Sequence, residues 1–169
     1  MAAQAPLAII ALGSNLGDSA ATVRGAIVRL RERAGEAFRA SSLWQSSPVD
    51  CPPGSPLFIN AAVAFTPRDG ETPETLLAHL QSLEQEFGRQ PKVILNEPRP
   101  LDLDLIAFGA EVRATALLTL PHPRAHLRRF VLEPLCEIEP AFVLPGQALP
   151  VRALLESLSN DERLVRLAE

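Results

Sequence analysis

Six consecutive apolar residues, Leu7 to Leu12, stop at Gly13, and that run predicts a buried strand. Behind Asp18, a residue able to cap a helix, Val23, Ala26, Ile27 and Leu30 recur at helical spacing until Gly35. Phe38 to Gln45 reads as a second strand, diluted by serines, and Leu57 to Thr66 as a third. Thr72 and Pro73 form an N-cap and first-turn signature ahead of an apolar stripe of Leu76, Leu77, Leu80, Leu83 and Phe87, closed by Gly88. Leu101 to Phe108 alternates leucine with aspartate and turns at Gly109, a fourth strand. After it come a short extended segment near Leu117 to Leu120, a proline-bounded turn, and helical pieces around Val131 to Ile138 and Ala153 to Leu158.

Strand, helix, strand, strand, helix, strand is the order of the split βαβ pattern. It predicts an α+β, ferredoxin-like βαββαβ core: an antiparallel sheet with helices packed on it, then a C-terminal extension. Residues 1–169 are expected to form one domain. With the first strand running upward, three features meet at the upper edge: Gly13-Ser14-Asn15, the loop Ser46 to Pro56, and the loop Gly88 to Pro100 that leads into Asp102 and Asp104. Both loops approach the length at which irregular connections carry function.

Composition narrows the choices. With 47% hydrophobic and 21% charged residues the chain reads as an ordinary globule, and a net charge of −4 argues against nucleic acid as a partner. Met1 to Leu12 lacks a basic n-region and is too short to span a bilayer, so a cytoplasmic protein without a membrane partner is expected. Cys51 and Cys136 lack metal-site spacing and neither require nor forbid a disulfide; His79, His122 and His126 show no zinc motif. Lys92 is the only lysine beside fifteen arginines.

In a strand, side chains two apart share a face, so Asp102 and Asp104 present carboxylates about 7 Å apart. Such a pair can hold Mg²⁺ against a polyphosphate, although an isolated DxD is more often a solvated polar face. Here the pair follows a loop carrying Arg89, Lys92 and Arg99, and guanidinium groups suit multidentate phosphate binding. The chain has no GxxxxGK[ST] loop and no protein-kinase signature set, which leaves metal and arginine to hold the phosphates. Phe58 and Asn60 also share a strand face. They could stack and read a flat heterocycle, or be a core ring and an edge amide.

Taken together, Ala11-Leu12-Gly13-Ser14-Asn15-Leu16-Gly17, Phe58-Ile59-Asn60-Ala61-Ala62-Val63, Leu83-Glu84 with Gly88-Arg89, Pro98-Arg99-Pro100-Leu101-Asp102-Leu103-Asp104, Pro121-His122-Pro123-Arg124 and Arg128-Arg129-Phe130-Val131-Leu132 resemble the 6-hydroxymethyl-7,8-dihydropterin pyrophosphokinase family. The resemblance runs from about Leu7 to Leu158. It implies transfer of pyrophosphate from ATP, the co-substrate, to the hydroxymethyl group of the dihydropterin, with AMP leaving, on the route to folate. It further implies two Mg²⁺ on Asp102 and Asp104, phosphate contacts from Arg89 and Arg99 that support transfer, and Asp104 as a candidate to orient or deprotonate the hydroxyl. ATP contacts fall on Gln81, Leu105, Thr119, His122 and Arg128, with Lys92 added from the basic loop. Phe58 and Phe130 match the aromatic pair around the pterin, Asn60 its hydrogen-bonding partner, and Ser46, Ser47 and Val49 the lining loop. Phe58 stands where the family often has tyrosine, Pro91 where it often has arginine, and Asn96-Glu97 where it often has Trp-Gly. A monomer acting on small molecules is expected. The rivals are a non-catalytic pterin- or nucleotide-binding module and another Mg-dependent transferase on the same kind of sheet.

Overall fold

A computed structural model describes residues 6–48, 51–159 and 162–168. Helix α1 (Ser19–Arg33) starts where the Asp18 side chain accepts the Ala21 N–H at 3.2 Å. It stops before Gly35, whose N–H donates to the Thr66 carbonyl at 3.0 Å. A Cβ on Gly35 would lie 2.6 Å from that same oxygen, so glycine permits the approach. Helix α2 (Pro73–Glu86) opens with Thr72 and Thr75 capping each other, a threonine doing the work that glutamate usually does in this box.

The main sheet is antiparallel. Strand β1 (Ala8–Ser14) lies between β4 (Phe58–Thr66) and β5 (Asp102–Phe108), and with β3 (Trp44–Ser46) and β8 (Leu164–Arg166) the order β5-β1-β4-β3-β8 matches the expected ferredoxin-like arrangement. The expected second strand is broken into β2 (Glu36–Ala40) and β3 (Trp44–Ser46), both paired with β4. Ala37 adopts a φ of 53°, the register shifts between Glu36 and Arg39, and Ser41 leaves the ladder. Its N–H still donates to the Ala62 carbonyl, but its hydroxyl, not its carbonyl, receives the Ala62 N–H. A three-residue strand, β8 (Leu164–Arg166), pairs with β3 and was not foreseen. The extended segment after β5 is a small ribbon of β6 (Arg113–Ala114) and β7 (Thr119–Leu120).

Both faces of the sheet are covered. Ala8, Ile10, Leu12, Val63, Phe65, Leu103 and Leu105 pack against α1 and α2 through Val23, Leu30, Leu76, Leu80 and Leu83. Ile9, Ala62, Ala64, Ile106 and Ala107 pack against α3 (Arg129–Ile138) and α4 (Val151–Ser157) through Val131, Leu132, Leu135 and Val151. The C-terminal extension is therefore the second layer of the domain core, and burial of its apolar positions places α3 beside the upper edge of the sheet.

Candidate active site

The floor of the site is a patch of three strands on the α3 side. Gly13 of β1 lies opposite Asp102 on one flank and Asn60 on the other, and in the next row Ala11 lies between Asp104 and Ala62. A strand spacing of about 4.8 Å thus sets the carboxylates roughly 10 Å from Asn60 and Phe58. Between them β1 offers almost no side chain. Over this floor opens a cavity bordered by Asp102, Asp104, Arg99 and Arg128 on the acidic side and by Ser46, Ser47, Phe58, Asn60 and Phe130 on the other.

Each wall is held by its own bonds. Asn60 is 3% exposed, and its Nδ2 donates to Ser46 Oγ at 2.7 Å and weakly to the Trp44 carbonyl at 3.4 Å, leaving its Oδ1 as an acceptor. Asn15, buried after β1, grips Arg99 from both sides: its N–H donates to the Arg99 carbonyl (3.2 Å) and its Oδ1 accepts the Arg99 N–H (2.9 Å). The Arg99 guanidinium then lies 5.6 Å from the Phe58 ring centre and 3.8 Å from an Asp102 oxygen, with Nε buried and lacking a hydrogen bond. Arg128 lies 5.4 Å from the Phe130 ring centre, so a cation attends each aromatic plate.

Arg89 is placed differently. Its Nη1 donates to Glu84 at 2.5 Å, to Asp102 at 2.7 Å and to the Leu101 carbonyl at 3.3 Å, while the same Glu84 oxygen accepts the Leu103 N–H. The three side chains are only 12 to 26% exposed. Arg89 and Lys92 border a second, smaller hollow that shares Arg99 with the main cavity. Burial, then the neighbouring Asp102 and Glu84 charges, push the Asp104 carboxyl up to about 7 despite Arg128 and Arg99. Burial also pushes Glu84 up, against the pull of the Leu103 N–H and Arg89. Burial is thus the leading cause for both carboxyls.

His122 is lowered by burial and by Arg128, hence neutral at pH 7; its Nδ1 accepts the Arg124 N–H, which puts the ring proton on Nε2. Of the other residues expected at the nucleotide, Gln81 and Thr119 are exposed on α2 and β7, and the Leu105 side chain belongs to the α1/α2 core. Val49 lies outside the described residues.

Sequence reasoning assigned no role to four residues that build the site. Arg124 and Asn96 border the main cavity, and Glu84 binds Arg89. Glu162 accepts the N–H groups of Arg129 and Phe130. Arg124 and Glu84 stand inside the motifs quoted above, which is the signal that pointed to them; Glu162 has none. In the loop, Glu97 takes the N–H groups of Val93 and Ile94 (3.0 and 3.3 Å) and Asn96 has a φ of 55°, so this pair closes a turn of its own.

The family model for 7,8-dihydro-6-hydroxymethylpterin-pyrophosphokinase matches residues 9–140. The chain is 39% identical to the 2-amino-4-hydroxy-6-hydroxymethyldihydropteridine pyrophosphokinase of Synechocystis sp. over 89% of this chain and 75% of that protein. It is 38% identical to the protein of the same name from Methylorubrum extorquens over 93% of this chain and 98% of that one. A crystal structure of an HPPK-DHPS in complex with substrates shares the fold, with TM-score 0.69 and 13% identity over 90% of this chain. This chain spans 43% of that longer one. The match over residues 9–140 and these identities place the chain in the 7,8-dihydro-6-hydroxymethylpterin-pyrophosphokinase family.

Proposed function

We infer that this chain, acting as one domain, transfers pyrophosphate from ATP to the hydroxymethyl group of 6-hydroxymethyl-7,8-dihydropterin and releases AMP, a step of folate biosynthesis. The carrying observation is one cavity with Asp102, Asp104 and Arg99 on one side and Phe58, Asn60 and Phe130 on the other. Gly13 and Ala11 leave the middle open, so a phosphate chain held on the acidic side can meet a hydroxymethyl arm presented from the aromatic side.

On the pterin side, Phe58 and Phe130 supply flat apolar surface, the Asn60 Oδ1 accepts from the ring amide, and Ser46 fixes the Asn60 amide in that orientation. Ser47 and Val49 continue this wall in the proposal. On the nucleotide side, Arg99, steered by Asn15, reaches the phosphates; Arg89 holds Asp102 and, through the second hollow, brings Lys92 into range. Arg128 and the Nε2–H of neutral His122 are further donors, and the adenosine would lie along β5, towards Gln81, Leu105 and Thr119.

The donor set suits Mg²⁺. Two hard carboxylates share a strand face, and burial with the neighbouring Asp102 and Glu84 charges disfavours the ionised form of Asp104, a penalty that a bound cation relieves. Among the described residues no three His, Cys, Asp or Glu side chains cluster for a metal, so phosphate and water oxygens would complete each shell. Bound there, two Mg²⁺ would neutralise charge developing on the transferred group. Arg99 adds to that stabilisation, Asp104 is the group placed to orient or take the hydroxyl proton, and Arg128 with Phe130 shields the reacting atoms from water.

We take the chain to act as a monomer, and ATP as co-substrate fits the cytoplasm. Among the described residues no helix is long and apolar enough to cross a membrane. The test is product analysis. Protein, Mg·ATP and the hydroxymethyl-dihydropterin should yield AMP and the pterin diphosphate, and Asp102→Ala should abolish the reaction with the circular dichroism unchanged. ADP as the nucleotide product would refute the assignment.

A further inference from the structure

Helix α3 begins at the rim of the cavity without a cap of its own. Its N-cap residue is Arg128, whose side chain cannot accept a hydrogen bond, yet the second residue of the helix is Phe130. The first N–H groups of a helix need acceptors. Here they come from 32 residues further along: the two carboxylate oxygens of Glu162 separately accept the Arg129 N–H (3.2 Å) and the Phe130 N–H (3.1 Å). Two residues on, the chain enters β8, whose Leu164 pairs with Ser46 of β3. Ser46 is the residue that orients Asn60. One short C-terminal segment therefore bonds to both walls of the aromatic side. It lies beyond residues 9–140 that the family model matches.

We propose that Glu162 is a positioning residue for the pterin: its carboxylate fixes the first turn of α3, and so the Phe130 ring, at a set distance from the β3–β4 wall that carries Ser46 and Asn60. The inference rests on the proposed reading of the cavity. Most of the acidic wall is held elsewhere: Arg99 hangs from Asn15, and Asp102 and Asp104 lie on β5 at the far side of β1, with Arg128 alone adjoining the capped turn, so removal of Glu162 should loosen the pterin's site more than the nucleotide's.

The experiment compares steady-state kinetics of wild type, Glu162→Ala, Glu162→Gln and Arg163→Ala, varying each substrate in turn. The glutamine variant keeps size but turns one oxygen into an NH₂ group that faces a backbone N–H, so it should behave like alanine and not rescue. Both should raise the KM for the dihydropterin about 3- to 30-fold, the range that loss of a helix cap allows, with a smaller change in KM for ATP and the rate at saturation close to wild type. The exposed neighbour Arg163 should have no effect. Unchanged pterin KM in both Glu162 variants, or equal losses for both substrates, would overturn the proposal. Should the alanine variant fail to fold, the isosteric glutamine variant decides by the same readout. A wild type that forms no AMP would refute the proposed function, a result separate from either outcome.

Discussion

Arg89→Ala should unfold more easily than wild type, and by more than Arg99→Ala, even though both arginines come from one loop. Arg89 is the common partner of Glu84 and Asp102, at 2.5 and 2.7 Å, in side chains 12 to 26% exposed. Breaking a fully buried pair costs about 3–5 kcal/mol and a surface pair about 0–1, so this half-buried triad should cost about 2–3 kcal/mol. For a chain of this size each kcal/mol moves the melting temperature by about 2–4 °C, which gives a fall of roughly 4–12 °C. Arg99 has one ion contact at 3.8 Å and a ring at 5.6 Å, together worth about 1 kcal/mol or less. Glu84→Gln added to Arg89→Ala should restore part of the loss, because the amide oxygen can still take the Leu103 N–H while the surplus charge disappears. Calorimetry of the four proteins without nucleotide checks this. A wild-type melting temperature for Arg89→Ala would refute the reasoning, and Arg89 would then be free to serve phosphates alone.

Phe130→Ala should weaken dihydropterin binding by the ~1–3 kcal/mol seen for stacking on aromatics and leave nucleotide binding nearly untouched, as calorimetry with each ligand will show. Arg99→Ala should lower the single-turnover rate by something like the ~10³–10⁵ of an arginine finger, with a much smaller change in ATP affinity; normal transfer at saturating ATP would make it a docking residue only. Burial alone would raise Glu137, but donation from the Ser42 hydroxyl, Trp44 Nε1 and the Ser42 N–H outweighs it and holds the carboxyl below the ordinary glutamate range. Its depressed folded value means that its contribution is present above the unfolded pKa and lost as pH falls through the folded one. Glu137→Gln should accordingly flatten the acid limb of a melting temperature against pH curve.

The sheet was legible because its first strand shows as an unbroken apolar run and its fourth as an alternation of leucine with aspartate. Once Leu101 to Phe108 is a strand running down from the upper edge, Asp102 must meet Gly13, and it does, with Asp104 opposite Ala11. The cavity's aromatic side was legible in the same way through Phe58 and Asn60. The break after Ala40 was not, because Ser41 keeps its place beside Ala62 by swapping a hydroxyl for a carbonyl, a choice that leaves no periodic trace. Strand β8 is three residues long with Val165 exposed, too short to carry a pattern, and Glu162 acts through backbone groups whose identity no side chain reports. Leu105 stands at a position the family resemblance links to ATP, but strand alternation turns its side chain into the α1/α2 core, opposite to Asp104.

A further detail of β5 decides whether the acid pair can exist at all. Counting down the strand from Asp102, strict alternation would place Phe108 on the α3 face; counting up from Phe108, which is buried against α1 and α2, it would drive Asp104 and Asp102 into that core. Neither happens, since Leu105 pairs with Ile10 and Ala107 with Ile9, and Ile106 is left over as a bulge. One extra residue reverses the phase of everything after it. Ile106 and Ala107 both reach the α3-side core, Phe108 returns to the other face, and the aspartates keep the open one. The bulge carbonyl is also put to use: Ile106 accepts the His122 N–H at 2.9 Å, which anchors the Pro-His-Pro-Arg segment beside the carboxylates. A sequence that reads Leu-Asp-Leu-Asp-Leu-Ile-Ala-Phe shows the same event, for its alternation fails at Ile106. The residue that interrupts the pattern is thus what lets one strand serve a hydrophobic core along its lower half and a charged site at its upper end.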